Sequence, residues 1–511
     1  MTAGERAGGA PYVLALDVGT SSTRTMLFDR HGAAVEGLEV QTPYRLRVTP
    51  EGGVEGDAEE LAAVAEGAID ELLRRAGPLA AEIGGVGISC FWHSLLAADE
   101  RGRALTPVLS WADTRSAAAA DRLRAELDEG AVHDRIGCVF HTSYWPAKLR
   151  WLAEARPDLW EGGRAPRWLG YGEYLAARFT GRAPCSIAMA SGTGLLDQHA
   201  ADWDAPLLEH LGIGRSQLPP LVDRNEALPA LTPEYAARWP ALAGAPWFPA
   251  VGDGACNNVG SGCVTPDRMA LSIGTSGVMR VVVPAPDVEI PRRLWCYRLD
   301  RRRFVLGGAL SNGGVVADWL GRTFQLPDDA AARVAGLAPD AHGLTVLPFL
   351  AGERTPDWQP RARAAILGLG LDTEPIEILR AGLEAVAYRF ALVHDLLRPL
   401  ANEPYEIVAS GGGVEHWPVW PQIIADALGH PLVASEEHEA SARGAAILAL
   451  EATGVLPDLA APVPLGRTYE PDPKAHATYR EARARLERLH ALVEPDLLRE
   501  AAGTTPASPA I

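Results

Sequence analysis

The sequence has no run of about 18 apolar residues, the length a helix needs to cross a bilayer, so no membrane-spanning helix is expected. It also lacks an excess of basic charge. Sixty-five acidic against 47 basic side chains give a formal charge of −18, which argues against a nonspecific nucleic-acid binder. A small anionic substrate is still allowed, because it needs only a local basic group. Cysteine is scarce: Cys90, Cys138, Cys185, Cys256, Cys263 and Cys296 show no paired spacing, and a reduced, cytoplasmic protein is the expectation. Residues 1–10 are small and polar, without the apolar core of a secretory signal. No Gly-x-x-x-x-Gly-Lys-Ser/Thr segment occurs, so the usual phosphate loop is absent.

What remains is an ordinary globular composition, 47% apolar and 22% charged. The 511 residues exceed what one core normally holds and predict two or three domains. Two glycine turns stand far apart. Asp17-Val18-Gly19-Thr20 follows the apolar run Tyr12–Leu16, and Ser272-Ile273-Gly274-Thr275-Ser276-Gly277 follows Met269–Ile273. Strands are expected at 12–16 and 24–28, then a turn at Asp29–Gly32, a helix over Glu59–Arg75 and a strand at Ile83–Ser89. Helices over 116–127, 148–154 and 172–179 read as an insertion. A new strand begins at Trp247–Val251, and 303–310, 344–348 and 405–409 read as further strands. Pro375–Arg398, Val419–Leu428 and Glu439–Glu451 read as helices. The order fits an α/β layer architecture, divided near residue 245 into a half 1–245 and a half 246–511. A helical tail is expected from about 465, ending in a loose Ala/Pro/Thr stretch. Two related halves, each with a strand and a Gly-Thr-Ser turn, point to a phosphotransferase holding a phosphate between them.

Glycine lets backbone amides approach phosphate oxygens, and Thr20 and Thr275 add hydroxyl donors. A plain hairpin turn is the alternative at each motif taken alone. Asp17, ending an apolar strand before a glycine, is a candidate Mg²⁺ ligand beside a transferred phosphate, or an Asx-type turn cap. Asp253 lies in Val251-Gly252-Asp253-Gly254, where a general base or a helix cap would each fit. His93, after Trp92, is a candidate donor to a sugar oxygen or carboxylate, or a satisfied structural histidine. Asp113 and Arg115 fit either a site or an ion pair supporting a loop. Gly411-Gly412-Gly413 suits close approach to an adenosine or a tight strand-to-helix turn.

Together these stretches resemble the FGGY family of carbohydrate kinases from about residue 12 to 455. The resemblance runs through Asp17–Arg24, Gly87–Ser94, Pro107–Arg115, Tyr174–Gly181, Ala190–Leu195, Ser272–Gly277, Gly307–Gly314, Pro348–Arg354 and Ser410–Gly413. It implies two actin-like (ribonuclease H-like) α/β domains with a ligand cleft between them, the first mainly for sugar and the second mainly for nucleotide. It implies ATP and Mg²⁺, with Asp253 as the base that deprotonates the sugar hydroxyl and Asp17 at the metal. Thr20, Ser21, Arg24, Gly274, Thr275, Gly313, Gly412, Gly413 and His416 are implied on the nucleotide side. Trp92, His93, Tyr144, Lys148 and Arg280 are implied on the sugar side. Within the family the wording around His93, Asp113 and Arg280 is most similar to the gluconate kinase branch, with xylulose kinases second. No Arg-Glu pair stands at 92–93, where the glycerol branch would have one. Trp92 is bulky for its position and narrows the expected pocket. Pro184-Cys185-Ser186 replaces a common acidic pattern, and His416 stands where Asn or Ser is common.

The expected partner is a small sugar or sugar acid, without nucleic acid or membrane, and a homodimer is compatible with the sequence. An inactive sugar-binding protein and an actin- or chaperone-like ATPase are the competing readings. The first would not need a base at Asp253, and the second would not need the segments around His93 and Asp113.

Overall fold

The computed structural model describes residues 11–160 and 166–493, so the polar start and the expected loose end lie outside the described residues. β1 (Tyr12–Val18) and β2 (Ser22–Asp29) form an antiparallel hairpin that β3 (Ala34–Pro43) extends. The Asp29 carboxylate closes the β2–β3 turn by accepting from the backbone N–H groups of His31 and Ala33. Helix α1 (Ala58–Ala76) starts where Asp57 accepts from the first free N–H groups, and it lays Leu61, Ile69 and Leu72 against β2 and β3. The chain then returns as β4 (Ile83–Cys90), parallel to β1, as a helical crossover requires. A mostly helical insertion, containing α2 (Trp145–Ala155), precedes β5 (Val251–Gly252), which joins β4 in parallel and runs directly into α3 (Asp253–Gly260). The expected strand at 247–251 is thus shorter than its apolar run. Trp247 makes a single bridge to Val86, because Pro246 and Pro249 cannot donate to a ladder.

The second sheet repeats the plan. β6 (Arg268–Ile273) and β7 (Gly277–Pro284) form its hairpin, β8 (Trp295–Asp300) and β9 (Arg303–Leu310) extend it, and α4 (Gly314–Thr323) and the long α5 (Pro375–Leu397) follow. β10 (Glu406–Ser410) returns parallel to β6, and β11 (Leu432–Ser435) lies beside it. Among the described residues the first sheet has the order β5-β4-β1-β2-β3, and the second contains the matching order β11-β10-β6-β7-β9. Two additional strands flank the second sheet, β8 at one edge and β12 (Leu465–Tyr469) at the other. The tail from about 465 therefore opens as a strand on the free edge of β11, and only then becomes helix α7 (Pro473–Val493), with α6 (Ala440–Ala452) before it.

α6 belongs to the second half of the chain but buries Ala442, Ala445, Ile447 and Leu450 in the first core. It crosses α3 at backbone contact. A Cβ on Gly444 would stand 1.8 Å from the carbonyl oxygen of Cys256, and one on Gly260 would stand 1.8 Å from that of Ala440. Only glycine permits that approach. The crossing fixes α3, whose first residue is Asp253, and Ser441 at the start of α6 donates to the Asp253 carbonyl at 3.3 Å.

Candidate active site

In each sheet the glycine turn links the first two strands, and the neighbouring parallel strand ends at the same level. Asp17 pairs with Ser89, and Ser272 with Ser410. The C-terminal ends of parallel strands are where a crevice opens in such sheets. Here the two sets of ends meet at a cavity of about 340 Å³ whose lining includes Thr20, Asp253, Ser272, Arg280 and Ser441. That volume suits a small polar ligand.

Thr20 accepts from the Trp111 indole at 3.1 Å, so its hydroxyl is held at the cavity. Gly19 N–H closes the turn on Ser22 O at 2.9 Å, and Ser21 is exposed on it. In the second turn Gly274 and Thr275 are exposed, and their carbonyls accept from the N–H groups of Gly313, Gly314 and Val315. The turn is thereby tied to the start of α4. At Gly411, φ +96°, a Cβ would stand 2.5 Å from Ile273 O, and the short helix Gly412–His416 begins there. The glycines of 411–413 and the 274–275 turn thus form one surface. The His416 ring donates to Gly412 O at 2.7 Å, within its own helix. Arg24 pairs with Glu39 and Glu439 and does not line the cavity.

Asp253 accepts from Gly254 N–H at 2.8 Å, and burial pushes its carboxyl above the ordinary range, against the pull of that N–H and of Arg280. Asp17 is pushed up to about 6, first by burial and further by Asp253, while the Ser89 hydroxyl and Arg24 act the other way. Arg280 is enclosed beside Asp253 and donates to Asn257 Oδ1 at 2.7 Å. Burial lowers its pKa to about 10, so it stays a cation at neutral pH.

The remaining wall is aromatic. Trp92 fits a slot between glycines: a Cβ on Gly252 would meet its ring at 1.9 Å and one on Gly192 at 2.6 Å. Its indole N–H donates to Ala188 O at 3.0 Å. His93 has a left-handed backbone, φ +68°, and its Nδ1 contacts Gly192 O. A carbonyl only accepts, so Nδ1 carries the proton and Nε2 is left as an acceptor. Burial lowers the His93 pKa to about 3, which keeps the ring neutral. Tyr144 and Tyr297 share a hydroxyl–hydroxyl bond of 2.7 Å, and Tyr297 stacks on Trp295 with centroids 4.3 Å apart.

Lys148 does not line the cavity. It is buried behind the wall and donates to His93 O at 2.7 Å, which holds that residue in its unusual conformation. Asp113 and Arg115 form an ion pair that also takes in Glu55, with Asp113 accepting from Val54 N–H, so they support a loop. Arg354, Trp358, Trp295 and Tyr297 line the cavity without having been singled out from the sequence. Arg354 ends a stretch that carried the family resemblance. The other three had no local signal: β8 brings in Trp295 and Tyr297, and a loop of the second half brings in Trp358.

Models of the FGGY family of carbohydrate kinases match residues 12–260 with the N-terminal domain and 269–453 with the C-terminal domain. A gluconokinase from Bacillus subtilis is 29% identical over 90% of this chain and 92% of its own length. A xylulose kinase from Escherichia coli is 29% identical over 94% of this chain and 99% of its own. Among solved structures, a gluconate kinase from Lactobacillus acidophilus superposes with a TM-score of 0.86 at 27% identity, covering 94% of this chain and 98% of that one.

Proposed function

The chain belongs to the FGGY family of carbohydrate kinases, and from that premise we propose that it transfers the γ-phosphate of ATP to a hydroxyl of a sugar acid, D-gluconate before others. The observation that supports the acid reading is the presence of two guanidinium groups, Arg280 beside Asp253 and Arg354, in a cavity whose lining is otherwise largely aromatic rings and hydroxyls. Gluconokinases among the relatives favour the same substrate.

In this reading Asp253 takes the proton of the acceptor hydroxyl as its oxygen attacks the γ-phosphorus. The bond to the β-phosphate oxygen breaks and ADP leaves. A carboxyl raised by burial is suited to accepting that proton near neutral pH. Arg280 steadies charge at the reacting end, and neutral His93 accepts from a substrate hydroxyl through Nε2, with Trp92 and Tyr144 as walls. Lys148 serves by holding His93. Thr20, Ser21 and Thr275 offer hydroxyl donors to the phosphates, Gly412 and Gly413 offer backbone to the nucleotide, and Gly274 and Gly313, whose N–H groups close the turn, contribute close approach. Arg24 and His416 are engaged with Glu39, Glu439 and Gly412 O. Asp17 would hold Mg²⁺: it is a buried carboxylate facing a second one at the phosphate turn, and hard oxygen donors suit that ion. When bound, the ion would neutralise phosphate charge. Positioning and electrostatics supply most of the rate in such a transfer.

The labour divides near residue 245, mainly sugar before and mainly nucleotide after, with β5 and α3 shared and Arg280, Trp295, Tyr297 and Arg354 reaching the cavity from the second half. Cytoplasmic location fits six buried free cysteines and the absence, among the described residues, of a helix long and apolar enough to cross a membrane. A ketopentose such as xylulose is the second reading, favoured by His93 as a hydroxyl acceptor and by the xylulose kinase relatives. ATP consumption with Mg²⁺ over D-gluconate, D-xylulose, L-ribulose, glycerol and erythritol separates the two. Preferential turnover of gluconate is expected, and preference for a neutral sugar would discard the acid reading. Asp253→Asn is expected to lower kcat by at least about a hundredfold, the smaller end of general-base effects, with ATP binding kept. Full activity in that variant would remove Asp253 from its role.

A further inference from the structure

The cavity holds two guanidinium groups in different surroundings. Arg280 is at the Asp253 end: a Cβ on Gly254 would stand 2.6 Å from its Nη1, and Asn257 accepts from it. Its charge is balanced by the aspartate it faces. Arg354 is at the aromatic end. Its guanidinium lies 5.6 Å from the Trp111 ring centroid, and among the described residues its one hydrogen bond is a long one, 3.4 Å, to Leu310 O.

The ionisable groups nearest Arg354 supply no counter-charge. Tyr144 and Tyr297 are buried phenols bonded to each other, and His93 and His141 are both held neutral by burial, with pKa values lowered to about 3. The two acids close to it in sequence are engaged elsewhere: Glu353 pairs with Arg389, and Asp357 with Arg293 and Arg389. Among the described residues Arg354 has no carboxylate partner. A half-buried cation at a cavity wall without a counter-ion is incompletely balanced, and a bound anion would complete the balance.

We infer that Arg354 receives the carboxylate of the substrate, so that an aldonic acid lies along the cavity with its acid end at Arg354 and the phosphorylated hydroxyl at Asp253. The inference rests on the sugar-acid reading and adds a direction to it. Arg280 then acts at the reacting end, and the kinase selects acids whose carboxylate is remote from the hydroxyl that accepts phosphate. The planar fork of arginine suits a two-point contact with a carboxylate.

The test is steady-state kinetics of wild type, Arg354→Lys and Arg354→Gln with D-gluconate, alongside the KM for ATP. Removing a charge-assisted contact is expected to raise the gluconate KM by about ten- to a hundredfold in R354Q, with a smaller rise in R354K. The KM for ATP is expected to stay within about threefold, since the ionisable groups around Arg354 are Tyr144, Tyr297, His93 and His141 of the sugar wall. An unchanged gluconate KM in R354Q overturns the inference, and so does a parallel rise in the KM for ATP. If R354Q does not fold, R354K alone decides by the same comparison, because it keeps the charge and loses the fork. Failure of the underlying reading is visible separately: wild type would then prefer a neutral sugar before any variant is made.

Discussion

Lys148 illustrates how a residue can serve the cavity without reaching it. Its ammonium is buried and spends its best contact on one backbone carbonyl, that of His93. Burial lowers its pKa from 10.5 to about 7, against the attraction of Asp113. The unfolded chain keeps the ordinary value, so between about pH 7 and 10.5 it holds a proton that the folded protein lacks. Folding stability from this group therefore rises with pH across that window, by up to about 1.4 kcal/mol per pH unit. The check is urea unfolding of wild type and Lys148→Met from pH 7 to 8.5. The wild-type rise is expected to exceed that of K148M, and K148M is also expected to have a raised sugar KM, because His93 is released from its left-handed backbone.

At the scale of elements, the site depends on backbones that approach closely. β5 is two residues long, yet its Gly252 supplies the space for the Trp92 ring and its end places Asp253 at the first turn of α3. Gly252→Ala is expected to cost about 1–3 kcal/mol, since the indole has to leave its slot. In a Trp92→Leu background most of that cost should vanish, a non-additivity that denaturant unfolding of the four proteins measures directly. Equal costs in the two backgrounds would mean that the strain lies elsewhere.

For the whole molecule, α6 matters most. It is separated from the first sheet by nearly two hundred residues of sequence, yet it packs on β1, β4 and α3. A fragment ending at residue 266 leaves that face of the first core uncovered. Such a fragment is expected to lack a cooperative thermal transition, as followed by near-ultraviolet circular dichroism. Supplying α6 only through the intact chain couples the two halves around the cavity.

The sequence by itself determined the repeated plan. The hairpins at Asp17–Arg24 and Ser272–Gly277, the long helix over 375–397 and the strands at 303–310 and 406–410 are encoded in local periodicity and in glycine turns. Such patterns are short-range, so a linear reading reaches them. Local reading failed where neighbours decide. Pro246 and Pro249 shortened an apolar run to β5, and the open edge of β11 drew 465–469 into a strand. The tertiary structure alone decided the cavity's chemistry. It turned Lys148 onto a carbonyl, Arg24 onto Glu39 and Glu439, and His416 onto its own helix, and it brought Arg354, Trp295, Tyr297 and Trp358 to the wall. The physical reason is that charge, burial and reach depend on what stands opposite a side chain. In this chain the opposite side is often supplied from a hundred or more residues away.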